Sequence, residues 1–104
     1  MEFIEVHWTA ANLEEARKVA ELACLEKQAA CVQIYPSIES HYIWKGQLEM
    51  SQEVKIVFKT KRECFTVLKT LILQNSSYEV PEIIAVPIID GSESYLRWIK
   101  EATT

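Results

Sequence analysis

The chain has 104 residues, 49% apolar and 25% charged, with 11 Lys and Arg against 15 Asp and Glu for a net charge of −4. That length suits one self-sufficient core and leaves no room for a second, so residues 1–104 are expected to form a single domain. The acidic balance argues against nucleic acid, which is bound through neutralised phosphates, and no apolar run reaches the roughly 20 residues a bilayer span needs.

In chain order, residues 3–9 (FIEVHWT) alternate, with Ile4, Val6 and Trp8 on one face and Phe3, Glu5 and His7 on the other, which predicts a strand. Asn12 and Glu15 have capping-box spacing. The helix they open is expected to run to about Lys27, with Leu13, Ala16, Val19, Ala20, Ala23 and Cys24 on its apolar stripe. Residues 31–44 return to strand period, and Pro36 requires a bulge, a bend or an edge position. Lys45-Gly46 reads as a two-residue hairpin turn. The return strand covers roughly 47–60, with Leu48, Met50, Val54, Ile56 and Phe58 on one parity. Thr60, with Glu63 three positions on, is expected to cap a second helix whose stripe is Phe65, Leu68, Leu71 and Ile72. Residues 80–89 form a last strand that its two prolines keep from a central position. A short terminal helix then carries Tyr95, Trp98, Ile99 and Ala102 on one face.

The order β-α-β-β-α-β predicts an α+β, ferredoxin-like fold: an antiparallel sheet with helices on one face, a long β-hairpin and a C-terminal helix. At about 3.3 Å per residue, the 14 residues from Cys31 to Trp44 extend roughly 45 Å. A compact domain of this size is roughly 33 Å across. Either the hairpin overhangs, leaving strand edges that a neighbouring subunit would cover, or the strand breaks at Pro36.

Cys24, Cys31 and Cys64 match no zinc or thioredoxin-type spacing and read as free thiols of a reducing compartment. The N-terminal stretch is acidic where a signal peptide is basic, so a cytoplasmic location is expected. The fold alone leaves function open. Thr9 to Asn12 hold no thiol pair of the metal-transfer type, neither glycine lies near the first helix to make an anion loop, and there is no Walker loop or nucleophile elbow. No nucleophile–base pair is found, so no catalytic residue is assigned and no enzyme activity is expected. Two strand pairs, Glu5 with His7 and Glu39 with His41, each place a carboxylate and an imidazole on one face. Such a pair either holds a cation or merely solvates a surface or interface. Cys31, at a strand start, reads first as a small buried apolar residue.

Five blocks in order resemble one family, the CutA divalent-cation tolerance proteins: AACVQI at 29–34, YIWKG at 42–46, EVKIVFKT at 53–60, YEVPEIIA at 78–85 and the closing DGSESYLRWI. The resemblance implies a ferredoxin-like homotrimer whose hairpin packs on neighbours, and a likeness to the PII signalling proteins, which bind ligands between subunits. It implies a role in tolerance of, and response to, divalent metal ions, copper especially. Where the family usually has His-Pro-Tyr this chain has Ser76, Ser77 and Tyr78, and where some members place a cysteine it has Trp8. Copper prefers thiolate and imidazole, so a copper site on those positions is not expected and the metal ligands stay unassigned.

The family set that remains is Cys31, Lys59, Tyr78 and Glu82 as ligand-cleft candidates, with Tyr42, Trp44, Tyr95 and Trp98 as trimer-interface candidates. Lys59 and Glu82 either hold a small ion or pair with each other across a subunit boundary. Three functions follow: a metal-responsive tolerance protein, a PII-like module binding a small metabolite near Lys59, or a trimeric scaffold anchoring another protein.

Overall fold

A computed structural model describes residues 2–104. The order is β1 (Phe3–Ala10), α1 (Leu13–Leu25), β2 (Cys31–Trp44), β3 (Gln47–Lys61), a 3-10 turn (Arg62–Cys64), α2 (Phe65–Asn75), β4 (Ile83–Ile88) and α3 (Glu93–Ala102). The four strands form one antiparallel sheet in the order β2-β3-β1-β4. The proline-bearing strands β2 and β4 are therefore the edges, where a missing backbone donor costs no ladder bond.

Strict alternation in β1 buries Ile4, Val6, Trp8 and Ala10. With Val54, Ile56 and Phe58 of β3 they make the sheet side of the core. Helix α1 closes over it with Ala16, Val19 and Ala23, whose small size brings its axis close, and α2 with Leu68, Leu71 and Ile72. Leu13 and Phe65 pack at the margin, while Cys24 is exposed. The opposite face of β3 carries Val57, 5% exposed, and α3 packs against that strand, burying Ile99. So α1 and α2 share one face of the sheet, and the terminal helix covers part of the other.

The helix starts behave differently from one another. The Glu15 amide donates to Asn12 Oδ1 at 2.9 Å, as expected of the cap. The Glu15 carboxylate then turns outward and accepts from both the amide (3.0 Å) and the hydroxyl (2.6 Å) of Ser77. Thr60 does not cap α2: it is the penultimate residue of β3, fully buried, and its hydroxyl donates to the Gln28 carbonyl at 2.7 Å. A carbonyl facing it across the fold outcompeted the local amide. Helix α1 stops at Leu25, with Lys27 in the left-handed region (φ 59°), and β4 begins at Ile83, after Pro81.

The hairpin both bulges and overhangs. Tyr35 faces Lys55 and Ile38 faces Glu53, so Pro36 and Ser37 together oppose one residue of β3. Strand β1 pairs with β3 only from Lys61 to Val54, whereas β2 continues beside β3 to the turn at Lys45-Gly46. Residues 38–53 thus form a two-stranded ribbon with no further strand beside it among the described residues. It accounts for a longest dimension of 44 Å against 25 and 22 Å. Ile43, Leu48 and Met50 are exposed along it.

Candidate functional site

The bulge decides what the ribbon presents. Before it, Cys31, Gln33 and Tyr35 pair with Lys59, Val57 and Lys55; after it, Ile38, Ser40, Tyr42 and Trp44 pair with Glu53, Ser51, Glu49 and Gln47. One inserted residue reverses the parity of β2, so even-numbered residues beyond Pro36 share a face with odd-numbered ones before it. Tyr42 and Trp44 are thereby set on the same face as Glu49 and Glu53.

Segment 76–82, between α2 and β4, faces that side of the ribbon. Its start is fixed by the Ser76 amide donating to Ile72 O at 2.8 Å, by the two Ser77 bonds to Glu15, and by the Tyr78 amide donating to Ser76 Oγ at 3.3 Å. Its end is tied to β1 where the Thr9 hydroxyl donates to Glu82 Oε2 at 3.4 Å. The result is a cleft of about 650 Å³ between ribbon and segment. Tyr42, Trp44, Glu49 and Glu53 line one side; Tyr78, Glu79 and Glu82 line the other.

The cleft is acidic. Glu53 is 8% exposed, and burial together with the neighbouring Glu53 carboxylate pushes the Tyr78 phenol well above its ordinary range, with Tyr42 and Glu15 adding to the rise. Tyr42 and Ser51 share a hydroxyl–hydroxyl bond of 3.1 Å across the ribbon. At the rim Lys45 Nζ lies 4.0 Å from Glu79 and 5.6 Å from the centre of the Trp44 ring.

Of the four ligand-cleft candidates, Tyr78 and Glu82 meet here, joined by Tyr42 and Trp44 from the interface set. Cys31 and Lys59 do not line the cleft. They face each other near the other end of β3, where Lys59 donates to Gln33 Oε1 at 2.7 Å, so Lys59 and Glu82 are not an ion pair within the protomer. Tyr95 belongs to that second cluster. Its phenol is pushed up by burial, with Cys31 and Glu5 beside it, and its ring lies 5.5 Å from that of Trp98. Sequence reasoning passed over Glu53 as a site residue. It lies inside the expected strand 47–60 on the parity opposite Val54, Ile56 and Phe58, where local pattern expects a solvated side chain, yet it is buried and lines the cleft facing segment 76–82.

Both expected histidine pairs form, Glu5–His7 at 2.9 Å and Glu39–His41 at 2.7 Å. Among the described residues, no three His, Cys, Asp or Glu side chains converge to hold a metal. Trp8 is fully buried and stacked 6.4 Å from Phe58, and Ser76 is taken up in ending α2. The donor set of one protomer therefore does not fit a copper centre, which needs two or three thiolate or imidazole ligands at one point.

Comparison with known proteins agrees with this architecture. The family model described as CutA1 divalent ion tolerance protein matches residues 4–102. Protein CutA, chloroplastic, of Arabidopsis thaliana is 41% identical over 100 residues, covering 96% of this chain and 55% of that protein. The chain thus spans little more than half the length of that relative. The divalent-cation tolerance protein CutA of Thermus thermophilus is 39% identical over 95 residues, covering 91% of this chain and 92% of the other. The crystal structure of CutA1 from Oryza sativa superposes with a TM-score of 0.95 at 38% identity, covering 100% of this chain and 95% of that one. The structure of the periplasmic divalent cation tolerance protein CutA from Archaeoglobus fulgidus superposes with a TM-score of 0.94 at 34% identity, covering 98% of this chain and 99% of that one. With matching blocks, topology and coverage from end to end, this chain belongs to the CutA1 divalent ion tolerance family.

Proposed function

We propose that this chain is a single-domain, non-catalytic binding protein that serves divalent-cation tolerance as a homotrimer in a reducing compartment such as the cytoplasm. The observation that carries the trimer is the ribbon at 38–53. A two-stranded hairpin is marginal in water by itself. This one leaves the β2 edge unpaired and exposes Ile43, Leu48 and Met50, an arrangement that a neighbouring copy relieves. Tyr42 and Trp44 at its far end supply aromatic contact area. Three free cysteines support the reducing compartment. Among the described residues no helix is long and apolar enough to cross a membrane.

Among the described residues no metal site forms within one protomer, so tolerance acts without a tightly held resident copper. Light scattering is expected to give three times the 12.0 kDa chain mass; a 12.0 kDa species at micromolar concentration overturns the trimer. Calorimetry with copper and zinc is expected to show nothing tighter than roughly micromolar, the range for too few soft ligands. Cells expressing the chain should grow at higher copper or zinc than cells without it. Equal growth overturns the tolerance role.

A further inference from the structure

The connection between β4 and α3 holds chemistry that divalent-cation tolerance does not use and that does not depend on it. Asp90 is the only aspartate in the chain, and Gly91 follows it. Residues 89–92 belong to no helix or strand, and both Asp90 and Gly91 are exposed. The Asp90 carboxylate makes no ion pair among the described residues. It folds back instead over the next peptide, where Oδ1 accepts from the Gly91 amide at 2.8 Å. The carboxyl carbon, one bond beyond Oδ1, is thereby held beside the Gly91 nitrogen, and atoms that are to react need an approach of roughly 3–3.5 Å. Without a Cβ, Gly91 does nothing to shield its own nitrogen. The chain's two asparagines could close a similar ring, but both are committed elsewhere. Asn12 Oδ1 accepts from the Glu15 amide and Leu13 opens α1; Asn75 Nδ2 donates to the Leu71 carbonyl, and the Ser76 amide that follows donates to Ile72 O.

We propose that Asp90-Gly91 is a site of spontaneous covalent modification, at which Asp90 becomes isoaspartate through a cyclic imide. The Gly91 nitrogen bonds to the Asp90 carboxyl carbon, the C–OH bond of the protonated carboxyl breaks, and the hydroxyl leaves as water with the amide hydrogen. Water then opens the ring. Addition at the side-chain carbonyl restores aspartate; addition at the main-chain carbonyl leaves Gly91 joined through the side chain and the α-carboxylate free. No oxidant or reductant takes part, and the mass returns to its starting value. The product lengthens the main chain by one methylene at the seat of α3. There a Cβ on Gly91 would stand 3.3 Å from Leu96 Cδ2, and the Leu96 amide donates to Ser92 O at 3.0 Å. Slack at this point loosens the helix that packs on β3 and buries Ile99.

The test is incubation of the full chain in warm, mildly acidic buffer, folded and in urea, followed by digestion. Endoproteinase Asp-N cuts before aspartate and not before isoaspartate. The tryptic peptide 70–97 separates by chromatography into two species of equal mass when Asp90 isomerises, whereas deamidation of Asn75 changes the mass. The folded chain is expected to accumulate the second, Asp-N-resistant species at least as fast as the chain in urea. Brief trypsin treatment of the folded product should then cut after Arg97, on α3, faster than in fresh protein. Asp90→Glu keeps the charge but would need a larger ring, and should lose the second species. Asp90→Asn reaches the same ring by releasing ammonia, and should gain isoaspartate sooner. The assignment is overturned by slower formation in the folded chain than in urea, the result when a fold protects the bond. It is equally overturned if Asp90→Glu accumulates as much of a second species of equal mass. Isoaspartate formed with unchanged cleavage after Arg97 would overturn the loosening of α3.

Discussion

Thr60 and Trp8 are both fully buried on the core side of the sheet, and their polar atoms meet opposite fates. The Thr60 hydroxyl reaches the Gln28 carbonyl at 2.7 Å, pinning the α1–β2 connection to the end of β3. Trp8 Nε1 has no partner among the described residues, a cost of about 1–3 kcal/mol that the stacked Phe58 and the area the ring buries must offset. Thr60→Val preserves volume and orphans the carbonyl, so it is expected to lower stability by about 1–3 kcal/mol in urea unfolding. Tyr78 brings a pH dependence of definite sign. The fold raises its phenol, so between about pH 10, where an unfolded tyrosine ionises, and the higher folded value the unfolded chain holds fewer protons. Stability from this group is complete below pH 10 and declines as pH rises from there. Urea midpoints measured from pH 8 to 11.5 should fall at the alkaline end, and Tyr78→Phe should make the fall shallower. Tyr95, raised in the same direction, leaves a residual slope in that variant.

At the scale of elements, period and punctuation made most of the fold legible. Alternation in FIEVHWT, the alanine stripe of α1, and Lys45-Gly46 each came from interactions local in sequence, and each stands where expected. What local pattern missed was settled by distant partners. Thr60 left its expected cap for a carbonyl 32 residues away, and Glu15 turned half of its capping role toward Ser77, 62 residues on. The site was half legible for the same reason. Tyr78, Glu82, Tyr42 and Trp44 meet because a bulge reverses parity, and the same register sets Glu53 beside them. At the turn, Gly46 has φ 78° with open space where a Cβ would stand. Gly46→Ala should therefore cost only the left-handed backbone strain, about 1 kcal/mol, read as a lower urea midpoint with unchanged slope.

At the scale of the molecule, the ribbon and the body are unequal partners. The body has its own core between the sheet and two helices, while the ribbon relies in this reading on other copies for cover. Folding is then linked to assembly, and the melting temperature should rise with protein concentration. Trp44→Ala, at the ribbon's far end, should cost about 3–5 kcal/mol, as large aromatic truncations do, and lower the mass seen by light scattering. A variant that keeps both mass and melting temperature would remove Trp44 from the interface.

The overhang also turns the protein into a timepiece. Once it leaves β1, the ribbon's outer edge has no strand paired to it among the described residues where β1 would have stood. If neighbouring copies shield it, its exposure requires those copies to part. Deuterium uptake at 38–53 would then run at the pace of subunit dissociation, while uptake at Val6, Ile56 and Phe58 reports opening of the body itself. Comparing the two in one experiment would tell how long a single assembly lasts. It would also tell whether subunits trade places faster than the fold around Trp8 breathes.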